Sequence, residues 1–306
     1  MTVVCLPDRP ARELVGALPP ATEVIEWTGL GEPPDRAAEI EFWVPTYMMS
    51  DAAARDRALE GMPSLRVIQL VSAGAEVWVG HVPEGVTLCD ARGVHGGSTA
   101  EWVLTAILAV LREFPRFIHA QQERRWDPDT TDELAGKRVL VVGAGDLGTN
   151  VARRLRAFDV EPTFVARTAR AGVHTVAELP QLLPQADVVV LVIPLTQQTR
   201  RLVDAKFLAA MPDGALLVNA ARGPVADTDA ILAELQSGRL RAALDVVDPE
   251  PLPPDHPLWS APNLLLTPHV GGDVRGFPAR AYRLVRAQIE RYLSAQPLQN
   301  VVANGY

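Results

Sequence analysis

Lys137-Arg-Val-Leu-Val-Val-Gly-Ala-Gly-Asp-Leu-Gly148 decides how this chain is read. The apolar run ending at Val142 has the length and β-branched content of a buried strand, and Gly143-Ala-Gly145-Asp146-Leu147-Gly148 follows it without a spacer. Thr149 to Phe158 then carries Val151, Ala152, Leu155 and Phe158 at helical spacing. In a strand–GxGxxG–helix unit the first glycine makes the tight turn. The second lets backbone N–H groups approach a pyrophosphate, and the third lets helix pack on strand. The helix N-terminus adds partial positive charge facing the anion. The expected ligand is a dinucleotide.

The next strand, Pro162-Thr-Phe-Val-Ala166, says which dinucleotide. A carboxylate at its end would bind the adenosine ribose hydroxyls, but Ala166 stands there, followed by Arg167, Thr168 and Arg170. Asp159 and Glu161 precede the strand, at the wrong end. Without the acid a 2′-phosphate meets no repulsion, and arginine offers it charge-assisted donors. NADP is therefore expected in preference to NAD.

Outward from this unit, short Val/Ile/Leu runs alternate with helix-period segments throughout, the pattern of parallel sheets covered by helices on both faces. Candidate strands are 2–6, 23–27, 40–44, 66–70 and 86–89, then 138–142, 162–166, 187–193, 215–219, 240–244 and 263–267. Helical stretches are expected near 10–18, 51–61 and 75–80, and from Pro278 to Leu293 with Tyr282, Val285, Ile289 and Leu293 on one face. A long helix from residue 98 opens on Ser98-Thr-Ala-Glu101, a capping-box pattern. A polar stretch, Gln121 to Glu133, separates the two runs of strands.

At 306 residues, 48% hydrophobic and 22% charged, the chain is folded and long enough for two domains of roughly 100–200 residues each. A net charge of −8 without a Lys/Arg block excludes nucleic acid as the main partner. Cys5 and Cys89 lie in apolar runs without metal or redox spacing and read as buried thiols in a reducing compartment. No leader-like stretch or membrane-length apolar run is present, so a cytoplasmic protein is expected. None of the six histidines has metal-ligand spacing, and no metal is expected.

Three strand ends carry reactive side chains. Leu216-Leu-Val-Asn219 leads to Arg222, Ala242-Ala-Leu-Asp245 is followed by Glu250 in a Pro-rich loop, and Asn263-Leu-Leu-Leu-Thr267 leads to His269. Open α/β sheets bind ligands at the carboxyl ends of their strands.

With these residues placed, the chain resembles the D-isomer-specific 2-hydroxyacid dehydrogenases, specifically those of the glyoxylate/hydroxypyruvate reductase type. The stretches are Leu70-Val-Ser-Ala-Gly-Ala75, Ser98-Thr-Ala-Glu101, Val142–Gly148, Ile193-Pro-Leu-Thr196, Val218-Asn-Ala-Ala-Arg-Gly223, Leu244-Asp-Val246, Glu250-Pro-Leu252 and Leu266-Thr-Pro-His-Val-Gly-Gly272. The resemblance implies a catalytic set of Arg222, Glu250 and His269, and a cofactor cleft that includes Pro194, Ala220, Asp245, His269 and Gly271. It also implies a substrate site made by Arg222, His269 and the backbone of Ala73 and Gly74, a small anion nest. His269 would exchange a proton with the substrate oxygen, Glu250 would favour the imidazolium, and Arg222 would grip carboxylate and carbonyl oxygens. The departure from the family pattern is Ala166 with Arg167, where many relatives keep an acid.

The same resemblance implies two doubly wound parallel-sheet domains. Residues 1–96 with 278–306 would form a flavodoxin-like substrate domain and 97–277 the Rossmann domain, with glycine-rich crossings near 93–98 and 272–278. It further implies a homodimer with the 98–118 helix at its interface. Formate oxidation is disfavoured, because that branch asks for glutamine where Glu250 stands. Phosphoglycerate oxidation is disfavoured because the sequence ends at Tyr306 without a regulatory extension. A nucleotide-sensing protein, like the family's corepressors, is the alternative outside enzymology. Candidates to wall the pocket for the substrate side chain are Trp43, Pro45, Thr46, Tyr47 and Met48, with plain core packing an equal reading.

Overall fold

The computed structural model describes residues 1–47, 49 and 51–302. It divides into two compact units, Met1–His95 with Arg275–Tyr306, and Gly96–Val274. The chain thus passes between units at 95/96 and 274/275, against the expected 96/97 and 277/278.

In the first unit, β1 (Thr2–Leu6) is followed by α1 (Arg9–Val15) and β2 (Thr22–Glu26), then β3 (Ile40–Trp43), α2 (Ala52–Glu60), β4 (Val67–Gln69) and β5 (Thr87–Cys89). Asp8 and Asp51 cap the two helices, accepting from the backbone N–H of Ala11 (2.8 Å) and Ala54 (3.0 Å). The five strands pair in parallel in the order β2-β1-β3-β4-β5, which is the flavodoxin-like winding. The stretch 75–80, expected to be helical, is a pair of turns closed by Trp78 N–H on the Ala75 carbonyl and His81 N–H on the Trp78 carbonyl. Gly80 at φ +84° ends it before a second helical turn forms, and Pro83 follows. Cys5 and Cys89 are buried free thiols, both pushed up to about 12 by burial.

The second unit begins with α3 (Gly96–Leu111), two residues before the Ser98 expected to cap it. Ser98 lies in the first turn, and its hydroxyl reaches the Gly272 carbonyl at 3.5 Å. A Cβ at Gly96 would meet the Asp146 carboxylate, which would have to move aside. The expected 98–118 helix is broken in two. Pro115 cannot tolerate the carbonyl of Leu111 four residues back, Glu113 takes φ +52°, and α4 (Phe114–Gln122) starts afresh.

Then follow β6 (Val139–Val142), α5 (Asp146–Leu155), β7 (Thr163–Ala166), β8 (Val173–Thr175), α6 (Leu179–Leu182), β9 (Val188–Leu191), α7 (Ala205–Ala209), β10 (Leu216–Asn219), α8 (Thr228–Gln236), β11 (Arg241–Leu244) and β12 (Leu264–Leu266). Helix α9 (Phe277–Leu293) closes the first unit, burying Ala281, Val285 and Ile289. The seven strands are parallel, in the order β12-β11-β10-β9-β6-β7-β8.

Each central strand serves two cores. Val139, Val141, Val188, Val190, Leu216 and Val218 pack beneath Ile107 of α3 and Val151 and Leu155 of α5. Their neighbours Leu140, Val142, Val189, Leu191 and Leu217 face Phe207, Ile231 and Leu235 of α7 and α8. Burial on both faces is why these strands are continuous apolar runs rather than alternating ones. Each such side chain contributes about 1.5–3 kcal/mol of transfer free energy. The winding direction reverses between β6 and β9, so the crevice for a ligand opens beside the loops that follow Val142 and Leu191. No helix among the described residues is long and apolar enough to cross a membrane.

Candidate active site

The loop after β6 is shaped by close approach. Gly143 takes φ +125°, and a Cβ there would press on the Val192 carbonyl; one at Gly148 would press on the carbonyl of Gly143. Gly145 is different: a Cβ there would meet nothing within 4 Å. Gly145 caps α5, whose first-turn N–H groups have no acceptor inside the helix. Two glycines therefore pack the turn, and the third leaves open space at a helix N-terminus. That shape fits a pyrophosphate.

The other residues expected around a dinucleotide fall into two groups. Pro194 follows β9, and its carbonyl accepts from Thr199 Oγ1 at 2.7 Å, while Thr199 Oγ1 accepts from the Thr196 N–H at 2.7 Å. Ala220 is buried at the end of β10, and Leu147 is half-buried in the first turn of α5. Asp146 points away from the cradle. Its carboxylate lies by Gly96 and accepts from Asn150 Nδ2 at 3.2 Å, so only its backbone N–H remains to face an anion.

Beyond β7, Arg167 and Thr168 are exposed. Arg170 instead donates from Nη2 to the Ala144 carbonyl at 2.6 Å, bracing the glycine loop and committing one of its five N–H donors. Glu161 stays at the far end of the strand, tied to Arg156 at 2.7 Å.

Three strand ends of the same sheet build the acid–base set. The loop after β12 carries His269 at φ +56°, a conformation that costs a non-glycine residue of order 1–3 kcal/mol. Asp245, at the end of β11 and only 3% exposed, holds it there. Its carbonyl accepts the His269 N–H at 2.7 Å. Its carboxylate accepts from Thr267 Oγ1 (2.6 Å), Val270 N–H (3.0 Å) and Gly271 N–H (2.8 Å). Asp245 was expected to line the cofactor cleft; its carboxylate is engaged chiefly in shaping the histidine loop. Neither this clasp nor Thr267 was legible as such, although a buried acid ending an apolar strand is a signal that it has partners.

The contact expected between Glu250 and His269 forms. Nδ1 of the imidazole and Oε1 of the carboxylate are 2.6 Å apart, the length of a charge-assisted hydrogen bond. The His269 hydrogen bond holds the Glu250 carboxyl below the usual carboxylate range, helped by the nearby charges of His269 and Arg222 and by the Val247 backbone, and opposed by partial burial. Arg222 arrives from the turn after β10. That turn packs so tightly on the Val247 carbonyl that residue 223 has no room for a Cβ, which brings arginine and glutamate loops together. Among the described residues no group of three or more His, Cys, Asp or Glu is arranged to hold a metal ion.

In the first unit, Ala73 and Gly74 lie in the loop after β4, where Ser72 Oγ donates to the Gly74 carbonyl at 2.9 Å. Trp43 is core: it is fully buried, with ring centroids 6.1 Å from Trp27 and 5.6 Å from Trp78. Pro45 is buried and Thr46 half-buried, whereas Tyr47 is exposed and its ring lies 4.9 Å from Phe277 and 6.3 Å from His95. Met48 lies outside the described residues.

A parallel sheet whose carboxyl edge presents a phosphate cradle at the switch point and a carboxylate-held imidazole three strands beyond defines a dinucleotide-dependent oxidoreductase. Residues 104–271 match the family model described as D-isomer specific 2-hydroxyacid dehydrogenase, NAD binding domain. The chain belongs to that family of NAD(P)-dependent enzymes. It is 37% identical over 231 residues to a glyoxylate reductase of Thermofilum pendens, an alignment covering 69% of this chain and 67% of that protein. A formate dehydrogenase of Neurospora crassa is 35% identical over 230 residues, covering 69% of this chain and 61% of that enzyme. The structure is similar to that of an NADPH-dependent glyoxylate/hydroxypyruvate reductase of Sinorhizobium meliloti in complex with NADP and sulfate. The TM-score is 0.84 at 29% identity, covering 99% of each chain. The cofactor is accordingly NADP or NAD.

Proposed function

We propose that this chain is an NADP-preferring reductase of small 2-oxoacids of the glyoxylate and hydroxypyruvate kind, with Arg222, Glu250 and His269 as its catalytic residues. The observation that carries the reading is the 2.6 Å contact of Glu250 with Nδ1 of His269. With Nδ1 engaged, Nε2 is the nitrogen left to exchange a proton with substrate, and the glutamate stabilises the imidazolium that must deliver it. Arg222 supplies a planar fork of donors for the substrate's carboxylate and for the negative charge that grows on its carbonyl oxygen. The backbone at Ala73 and Gly74 is assigned to the same carboxylate by the family pattern. Gly143, Gly145, Leu147, Gly148, Pro194, Ala220 and Gly271 would hold the dinucleotide, which when bound supplies the hydride.

Arg167, with Thr168 and Arg170, is assigned to the 2′-phosphate. The experiment that tests the reading is a panel of 2-oxoacids run with NADPH and NADH side by side. Glyoxylate and hydroxypyruvate with NADPH are expected to be turned over best. Tight NADPH binding without turnover on any 2-oxoacid would instead favour a nucleotide-sensing role. Removing one charge-assisted contact costs roughly 1.5–3 kcal/mol, so Arg167→Ala should lower the NADPH-over-NADH preference in kcat/KM by about 10–100-fold. Formate oxidation fits less well, because Glu250 rather than glutamine partners the histidine.

The family expectation of a homodimer finds support beside α3 in Phe114 and Ile118, both 55% exposed, and in Trp126, 94% exposed. Sedimentation at micromolar concentration should give twice the chain mass. The free buried thiols support a cytoplasmic location.

A further inference from the structure

We infer that Asn219 is a positioning residue for Arg222, acting through the two peptides that flank the Ala221–Arg222 peptide; the inference rests on the catalytic role proposed for the arginine. Few polar side chains of the second unit are buried, and Asn219 is 1% exposed at the carboxyl end of β10, in a strand otherwise made of Leu216, Leu217 and Val218. A buried amide at such a place costs free energy unless its hydrogen bonds are made. Here they are made to the turn that carries the arginine.

Oδ1 of Asn219 accepts the Ala221 N–H at 3.0 Å, and Nδ2 donates to the Arg222 carbonyl at 3.2 Å. The peptide between those two, Ala221–Arg222, closes the device, because Nη1 of Arg222 donates to the Ala221 carbonyl at 2.7 Å. The guanidinium is therefore anchored to a peptide whose two neighbouring peptides are both pinned by Asn219. The strand-end backbone extends the connection: the Asn219 carbonyl accepts the Asp245 N–H at 3.0 Å, and Asp245 in turn shapes the His269 loop.

The chemistry selects asparagine. One side chain must present an acceptor and a donor at one buried point, which an ionised aspartate, having only acceptors, cannot do. Truncation to alanine would unpin both flanking peptides, letting the Ala221–Arg222 peptide between them rotate and take the Nη1 anchor with it. Arg222 would keep its charge but lose its fixed aim, and a fork that must meet two substrate oxygens is sensitive to displacements of about 1 Å.

The test is a double-mutant cycle of Asn219→Ala and Arg222→Ala. Steady-state kinetics with glyoxylate and NADPH are read beside calorimetric binding of oxalate, a non-reducible mimic, to the NADP-loaded protein. Asn219→Ala alone is expected to lower kcat/KM and weaken oxalate about 10–100-fold, the scale on which small misplacement acts. The NADPH dissociation constant should change far less than that of oxalate, because both polar atoms of Asn219 are committed to the turn that carries the arginine. In the Arg222→Ala background the same substitution should cost less than about threefold, since coupled residues are non-additive. An equal loss in both backgrounds, or NADPH affinity falling in step with turnover, overturns the inference. Wild-type kinetics in Arg222→Ala alone overturn the catalytic reading beneath it instead. If Asn219→Ala does not fold, Asn219→Asp, which keeps the acceptor and loses the donor, enters the same cycle with the same criteria.

Discussion

Replacing His269 with asparagine lowers kcat for 2-oxoacid reduction by about 10²–10⁴-fold, the usual share of a positioned general acid. Asparagine is the informative substitution because of the backbone. His269 sits at φ +56°, where alanine or a β-branched residue adds strain, whereas asparagine populates that region readily. The loop then keeps its clasp on Asp245, and a thermal melt of His269→Asn should lie close to wild type. What the variant lacks is a ring nitrogen that can give and take a proton, so the loss falls on proton delivery. Stopped-flow traces should show NADPH binding of ordinary affinity followed by slow oxidation of the cofactor. Turnover within threefold of wild type would remove His269 from the chemistry.

Those elements that sit in the middle of a sheet were legible in the sequence, because burial on both faces leaves a run such as Val188-Val-Val-Leu191 no polar position. Edge elements were not. Strand β8, three half-buried residues after Gly172, carries too little apolar signal to be seen alone. The break between α3 and α4 was written in Pro115 but hidden by apolar spacing that runs on through the proline. In the site, Arg222, Glu250 and His269 stood out because each follows a strand end, and a sheet brings strand ends together whatever lies between them in sequence. The aim of Asp146 and Asp245 and the tether of Arg170 to Ala144 were hidden for the opposite reason. Type and position say that a carboxylate or guanidinium is near the ligand edge; only tertiary hydrogen bonds say which way it turns.

Glu250→Gln separates the charge of the carboxylate from its geometry, and the expected consequence is a change of opposite sign in the two reaction directions. Glutamine preserves an acceptor for Nδ1–H but cannot favour the imidazolium, because it has no charge. In wild type the Glu250 carboxyl lies below the usual carboxylate range, chiefly through its hydrogen bond with His269. It is therefore anionic throughout the neutral range in which reduction is measured. Reduction needs the protonated histidine, so the reductive kcat/KM of the variant should fall below that of wild type at neutral pH. Oxidation of the 2-hydroxyacid needs the neutral ring and should gain at the same pH, so the two directions respond with opposite sign. A group whose pKa is depressed on folding contributes stability above its unfolded value, near 4.3 for glutamate, and loses it as pH falls through the folded value. The melting temperatures of wild type and Glu250→Gln should accordingly differ at pH 7 and converge below about pH 4. Unchanged kcat/KM in both directions would mean that the glutamate holds the ring in place and its charge takes no part in proton transfer.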